Sequence, residues 1–387
     1  MDLRVELMRA HESGDTITAL AEIYQVSRKT IHKWLKRYQE DGAAGLADRS
    51  RAPHERPQQV NQEIVKAIIE ARHRWKCGPR KLRVKLQEQQ PEIVWPAAST
   101  IGDVLRRAGL SHRRVRKHRT PVYGSPFADV EVANQTWCAD FKGWFRTGDG
   151  VRCDPLTITD AHSRYLLCCQ ITAKTDTVHV RALFESTFQQ YGLPRVIRTD
   201  NGAPFASPAP GGLSRLSMWW IKLGILPERT RPASPQENGR HERMHLTLKQ
   251  DTLRPPACNR RRQQEAFDRF RQIYNEERPH EALQDQTPAS QYEPSLGQMP
   301  RRVPELEYAP DLIVRRVSTR GEFKWGGEKI FVSELLNYEA VGLKPHNDRL
   351  YELFYGPVRI GWMDSHRRRF HRKLCKRLKA ELGHNEE

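Results

Sequence analysis

The chain has 387 residues, with 65 Lys and Arg against 47 Asp and Glu, for a formal net charge of +18. That length predicts two to four domains, and the charge favours a polyanion partner, most simply nucleic acid. No run approaches the roughly 18 consecutive apolar residues of a membrane helix, and Met1 to Ala10 holds no apolar signal core, so a cytoplasmic protein is predicted. The 7 cysteines are scattered without a C-x-x-C pair, which argues against a disulfide framework and a thiolate zinc site.

The first 40 residues read as helices. Thr18 to Tyr24 carries Leu20, Ala21, Ile23 and Tyr24, and Ser27 then caps a helix over Arg28 to Gln39 with Ile31, Trp34 and Leu35 on one face. Two short helices with a tight turn and a basic second helix make a helix-turn-helix, a unit assigned to residues 1–50. Its second helix would offer Arg28, Lys29, Thr30, His32 and Lys33 to a major groove, although any small helical bundle shows this spacing. Asp41 to Pro57 reads as a linker. Residues 58–110 predict a second helix-turn-helix, with or without a wing: Val60 to Trp75, then a helix opened by Pro79, then Thr100 to Ala108 capped by Ser99 and closed by Gly109. A basic linker follows over 111–133, where Arg113, Arg114, Arg116 and Lys117 are candidates to track phosphates.

From Gln135 the pattern turns to strands. Thr136 to Phe145, Leu156 to Asp160 and Tyr165 to Ile171 are strand-like, and Thr177 to Tyr191 is an amphipathic helix ended by Gly192. Arg195 to Thr199 is a short strand, Arg215 to Leu223 a helix, Ile225 to Arg229 a strand, and Asn238 to about Thr252 a helix. This order describes a mixed sheet flanked by helices, an α/β domain over 134–292. A further helix covers Ala266 to Asn275, and short strands over 306–365 predict a small β-barrel. The basic tail, 366–387, has helical propensity.

The carboxylates carry the chemistry. Asp140 lies within an apolar strand, where an acid costs desolvation unless it is paired or bound to metal. Asp200 ends a strand at the lip of the sheet, where sites collect in α/β folds. Two glutamates compete for a third place. Glu237 belongs to a helix start, where it would complement the helix dipole. Glu242 lies one turn into the helix, with Asn238, His245 and Lys249 along its face and Gly239 allowing close approach. Carboxylates converging from separate elements can hold two Mg²⁺ or Mn²⁺ ions for phosphoryl displacement. Asp160, beside a turn, reads as a turn cap, and Trp219 and Trp220 as core. Arg243 and Lys249 are candidates for DNA contact, against the plainer reading of a solvated helix face.

Three ordered segments resemble a known family. They are Trp137-Cys138-Ala139-Asp140, Arg198-Thr199-Asp200-Asn201-Gly202 and the run from Pro235 to Lys249, followed by Asn275, Arg278-Pro279-His280 and Thr287-Pro288. Together they resemble bacterial insertion-sequence transposases with a retroviral-integrase-type (DDE) core. The resemblance implies a ribonuclease H-like fold for the core. It also implies that Asp140, Asp200 and Glu242 are the catalytic and metal-binding acids, because Glu242 stands three residues after Gly239 as the family pattern asks. It implies two Mg²⁺ ions per active site, with Mn²⁺ as a substitute, and partners comprising double-stranded DNA at element ends and target and further copies of the chain, as a dimer or larger. The location implied is the bacterial cytoplasm, on the nucleoid. The function implied is cleavage at terminal inverted repeats and strand transfer into target DNA. A non-catalytic helix-turn-helix regulator and a ribonuclease H-like nuclease without joining activity are the rivals. The interval between Asp200 and Glu242 is longer than usual for the class, and the Pro/Gly/Ser loop from Phe205 to Ser214 accounts for it. The paired His and paired Cys of the retroviral N-terminal zinc site are missing, and the helix-turn-helix units stand in their place.

Overall fold

The structure is a computed structural model that describes residues 2–49, 59–111, 130–230 and 239–374. The basic segment with Arg113, Arg114, Arg116 and Lys117, and Glu237 with the residues just before it, lie outside the described residues. The chain divides into two compact units, Met1–Asn61 and Gln62–Glu387.

In the first unit, α1 (Asp2–Glu12), α2 (Ile17–Ile23) and α3 (Arg28–Asp41) close on Leu7, Met8, Leu20, Ile31 and Leu46. The Ser27 side chain accepts from the Thr30 backbone at 3.2 Å, which satisfies one of the orphan N–H groups at the start of α3. Arg28, Lys29, His32 and Lys33 are exposed along α3, and Thr30 is half-buried against the cap. The stretch after Asp41, expected as linker, begins as core instead. Leu46 is buried at the end of a 3-10 turn, and its carbonyl accepts from the Arg4 guanidinium at 2.6 Å. One large apolar side chain is enough to fold a Gly/Ala-rich segment back onto its helices.

The second unit begins with α4 (Gln62–Trp75), α5 (Pro79–Gln89) and α6 (Ala98–Arg107), packed through Ile68, Trp75, Leu82, Leu86, Trp95, Ile101 and Leu105. Helix α6 starts before the expected Ser99 cap. Ala97 holds the cap position without a side-chain bond, and Ser99 sits in the first turn. No wing strand occurs among the described residues of this segment. The three-helix unit is fastened to the segment that follows the central sheet. Trp75 Nε1 donates to Glu277 at 3.1 Å, and Arg80 donates to Glu281 and Asp285, both at 2.9 Å.

The central sheet contains β1 (Thr136–Phe141), β2 (Phe145–Arg146), β3 (Arg152–Asp160), β4 (Leu166–Thr172), β5 (Val196–Thr199) and β6 (Leu226–Arg229), interleaved with α7 (Thr177–Tyr191) and α8 (Arg215–Lys222) and followed by α9 (Gly239–Thr252) and α10 (Arg260–Gln272). β1 runs antiparallel to β3 and parallel to β5, β5 is parallel to β6, and β4 and β2 pair with β3. Alternation along each strand sends neighbouring side chains to opposite faces. Trp137, Ala139, Leu156, Ile158 and Ile197 face α7 and α8, where they meet Phe184, Phe188, Trp219 and Trp220. The alternate positions include Asp140, Thr157 and Thr159, and they belong to the face covered by α9 and α10. Met244, Leu248, Phe267, Phe270 and Tyr274 pack that side against Leu166 and Cys169. Helix α10 starts at Arg260, earlier than the expected Ala266, because the Asn259 side chain caps it by accepting from Arg262 N at 3.0 Å.

The C-terminal segment is strand-rich, as expected: β7 (Ile313–Arg316), β8 (Glu322–Trp325), β9 (Glu328–Phe331), β10 (Ala340–Pro345), β11 (Leu350–Tyr355), β12 (Val358–Asp364) and β13 (Arg369–His371). A closed barrel was expected here, and the described residues form no closed sheet. Five strands form an open antiparallel sheet in the order β13-β12-β11-β10-β7, and β8 and β9 form a separate hairpin. The hairpin joins through its side chains. Phe323 and Ile330 share a core with Val341, Leu343, Leu353 and Met363, and Leu213, Met218 and Ile221 of the central domain enter the same core. Part of the tail expected as helix is the edge strand β13, paired with β12. Gly361 leaves space for the Phe370 ring, and this packing overrides local propensity.

Candidate active site

The site is built where β1, β3 and β5 meet the start of α9. Asp140 is half-buried on β1 and pairs in register with Thr157 of β3. The parallel ladder on its other side pairs Ala139 with Thr199, so the next residue of each chain, Asp140 and Asp200, are neighbours where β5 ends. Adjacent strands lie about 4.8 Å apart, so the two residues sit side by side at this end of the sheet. Asp200 is exposed, and one of its carboxylate oxygens accepts from Gly202 N at 3.1 Å. The Asn201 side chain donates to the Thr230 carbonyl at 2.9 Å, which ties the turn to the end of β6.

Helix α9 lies across this strand end. Its buried stripe is His241, Met244, His245 and Leu248, at the i, i+3, i+4, i+7 spacing of a core-facing helix. The Thr157 hydroxyl donates to the Asp140 carbonyl oxygen at 3.0 Å and lies 2.6 Å from His241 Nε2 and 2.7 Å from His245 Nε2. A hydroxyl has one proton, so with that proton on the Asp140 carbonyl both imidazoles donate from Nε2. His241 Nδ1 then accepts from Thr159 at 3.2 Å. Burial holds both rings neutral, pushing His241 down to about 3 and His245 to about 2. The network pins the first turns of α9 to the strand pair that carries Asp140.

Glu242, Arg243 and Lys249 are exposed on α9. At about 100° per residue, Glu242 and Lys249 share one flank of the helix, next to His245, while Arg243 turns away. That flank borders β1. The Lys142 amine is lowered from its ordinary value first by burial and then by the charge of Lys249, with Asp140 opposing the shift. Asp160, expected as a turn cap, is one: it is buried, and it accepts from Asn134 N at 2.8 Å and from the Ser163 backbone and hydroxyl at 2.7 Å. Trp219 and Trp220 are core, as expected.

Among the described residues, one group of His, Cys, Asp and Glu has donor atoms close enough to share an ion, and it joins Asp140 to His241 and His245. From the sequence, His245 is legible only as a neighbour of Glu242, and His241 has no evident role. The i, i+4 pair in His241-Glu242-Arg243-Met244-His245 was the available signal.

With this geometry in view, the chain can be compared with known proteins. Two integrase core domain models match residues 131–235 and 223–288. Residues 131–288 thus match integrase core domains. A helix-turn-helix domain matches residues 3–54, and a homeodomain-like domain matches 30–105. The chain is similar to the 31.7 kDa protein of insertion element IS407 from Burkholderia multivorans, at 25% identity over 59% of this chain and 80% of that one. It is also similar to the Gag-Pol polyprotein of baboon endogenous virus, at 28% identity over 49% of this chain, a match that spans only 10% of the polyprotein. A solved integrase catalytic core domain of HTLV-2, in complex with magnesium, aligns with 42% of this chain and 98% of its own at 16% identity and a TM-score of 0.34. The chain thus resembles insertion-element proteins, with helix-turn-helix and homeodomain-like matches ahead of the integrase core match.

Proposed function

We propose that the protein is a DNA transposase that cleaves the ends of an insertion element and joins them to target DNA. What supports the reading is the neighbouring place of Asp140 and Asp200 at the ends of parallel β1 and β5, with α9, which carries Glu242, held to β3 by the Thr157 network. The donor set fits a hard divalent cation, because three carboxylates from separate elements offer oxygens and nothing softer. Asp140, Asp200 and Glu242 would hold two Mg²⁺ ions, with Mn²⁺ able to replace them. Such a pair activates a water or a 3′-hydroxyl and stabilises the leaving oxygen. The chain's own part is placement. β1 and β5 fix the two aspartates side by side, and the Thr157 network fixes α9 against them.

The helix-turn-helix units supply recognition of the terminal repeats. Arg28, Lys29, Thr30, His32 and Lys33 on α3 would read a major groove, and the basic segment with Arg113, Arg114, Arg116 and Lys117 would follow phosphates. Lys249, beside Glu242, and Arg243, which turns away from that flank, would contact DNA. Joining two ends requires two active sites, so the working form is a dimer or larger on DNA, in a bacterial cytoplasm.

The test is a reaction with Mg²⁺ and duplexes that carry the element's end beside duplexes of scrambled sequence. Joined products that form only with the element end support the reading. Cleavage of both duplexes without joining would make the protein a nuclease, and tight binding without cleavage would make it a regulator.

A further inference from the structure

The chain has nine tryptophans, all among the described residues. Eight are buried or half-buried, and Trp144 is exposed, with 59% of its surface open. An indole left in water gives up much of the stabilisation that burial brings. The fold nevertheless holds this ring out on a rigid support. Gly143, at a φ of 85°, turns the chain between β1 and β2. The next side chain, Phe145, is anchored edge-on against Phe267, with ring centroids 6.1 Å apart. The β2–β3 turn is braced from outside: Gly148 N donates to the Ala257 carbonyl and Asp149 N to the Cys258 carbonyl, both at 2.9 Å. Asp154 grips two nitrogens of Arg152, at 2.9 and 3.0 Å, and the Arg152 guanidinium lies 5.3 Å from the centre of the Trp144 ring. That is within cation–π range. We propose that Trp144 is a stacking platform for an unpaired nucleobase of a DNA strand, with Lys142 and Arg146 holding the adjoining phosphates.

Three arguments support the assignment. An aromatic face set among cationic side chains is the combination that binds single strands, because every base has a π-face and every linkage a phosphate. Lys142 and Arg146 lie two residues to either side of Trp144, and Arg152 stands over its ring, so the surroundings suit a polyanion better than the apolar face of a second copy. The ring stands four residues beyond Asp140 in the chain, on an element braced at both ends, as a binding group near a reacting centre requires. One consequence rests on the proposed function: the stacked base would neighbour the phosphate brought to Asp140, and would hold that strand still while it reacts.

The test uses the full chain without metal and two short DNA single strands of equal length and charge, oligothymidylate and its abasic counterpart. Wild type is expected to bind the base-bearing strand roughly fivefold or more tighter than the abasic one. Trp144→Ala should lose that preference and keep its affinity for the abasic strand, and Trp144→Phe should retain part of the preference. The position is exposed, so both variants should melt with the wild type. As a second measurement, a strand carrying bromouracil is cross-linked by ultraviolet light and the adduct is mapped by mass spectrometry. An adduct at Trp144 supports the platform. An adduct confined to Phe331 or Tyr338, exposed aromatics of the C-terminal segment, overturns it. Equal binding of the two strands by wild type overturns it too, as does a preference unchanged in Trp144→Ala. Self-association lost in Trp144→Ala with the base preference intact would give the ring to a second copy and likewise overturn it. None of these readouts needs cleavage. A protein that never cuts DNA could pass them, and one that cuts and joins could fail them, so the two readings fall separately.

Discussion

The two faces of the central sheet are packed by opposite chemistry. The face under α7 and α8 is aromatic: Trp137, Phe184, Phe188, Trp219 and Trp220 meet with ring centroids 5.0–5.8 Å apart. The face under α9 and α10 carries apolar residues too, but at its site end it buries Thr157, Thr159, His241 and His245 beside Asp140. Period-2 alternation makes the division: Trp137 and Ala139 go one way, and Asp140 the other. One face supplies stability through area. The other gives up some of that area to hold polar groups in fixed geometry, as sites on rigid elements require.

Substitutions on the two faces should therefore fail differently. The largest expected loss of stability is on the aromatic side. Trp220→Ala should cost about 3–5 kcal/mol by denaturant unfolding, from the side chain's burial and the cavity left behind. A loss below about 1 kcal/mol would show that α8 does not anchor the fold. On the polar face, Thr157→Val keeps the shape but leaves two buried Nε2–H groups without their acceptor. It should cost about 2 kcal/mol and should also lower the reaction rate, because α9 is then no longer pinned to β1. A variant as stable and active as the wild type would remove the network from the account.

A smaller effect concerns His280, half-buried beyond α10 with its ring against Tyr274. Burial first, then the charges of Lys81, Arg278 and Arg164, push it down to about 3. In the unfolded chain it titrates near 6.5. Between those values the unfolded state binds one more proton, so stability rises with pH across this window and falls as pH drops below about 6.5. The limiting slope is about 1.4 kcal/mol per pH unit. His280→Gln should flatten the pH dependence by about 1.4 kcal/mol in total when unfolding is compared at about pH 7.5 and about pH 5.5. An unchanged slope would mean that the ring takes up its proton equally in the folded and the unfolded chain.

Legibility in the sequence followed the same division. Helix α7 could be read to the residue, because Asp176 caps it and Gly192 leaves it with a φ of 78°. Asp140, Asp200 and Glu242 could be placed on their elements because strand ends and a helix start are local signals. The buried role of His241 and His245 could not, since a polar residue type conceals a core-facing stripe unless the opposing strand is known. The start of α10 was hidden by a polar first turn, Arg260 to Gln263, with no apolar period to reveal it. The open C-terminal sheet was hidden because closure depends on pairing between distant strands, and short strands alone do not decide it.

The most direct test of the central claim, that the α9 face of the sheet is the catalytic one, is the Mg²⁺ cleavage and strand-transfer reaction run on five proteins. Wild type is set beside Asp140→Asn, Asp200→Asn, Glu242→Gln and Glu237→Gln, each first matched for melting and for binding to end DNA. Asp140→Asn, Asp200→Asn and Glu242→Gln should lose both reactions by about a hundredfold or more while still binding DNA, and Glu237→Gln should keep both. Full activity in any of the first three, or loss in Glu237→Gln with Glu242→Gln unaffected, would contradict the assignment.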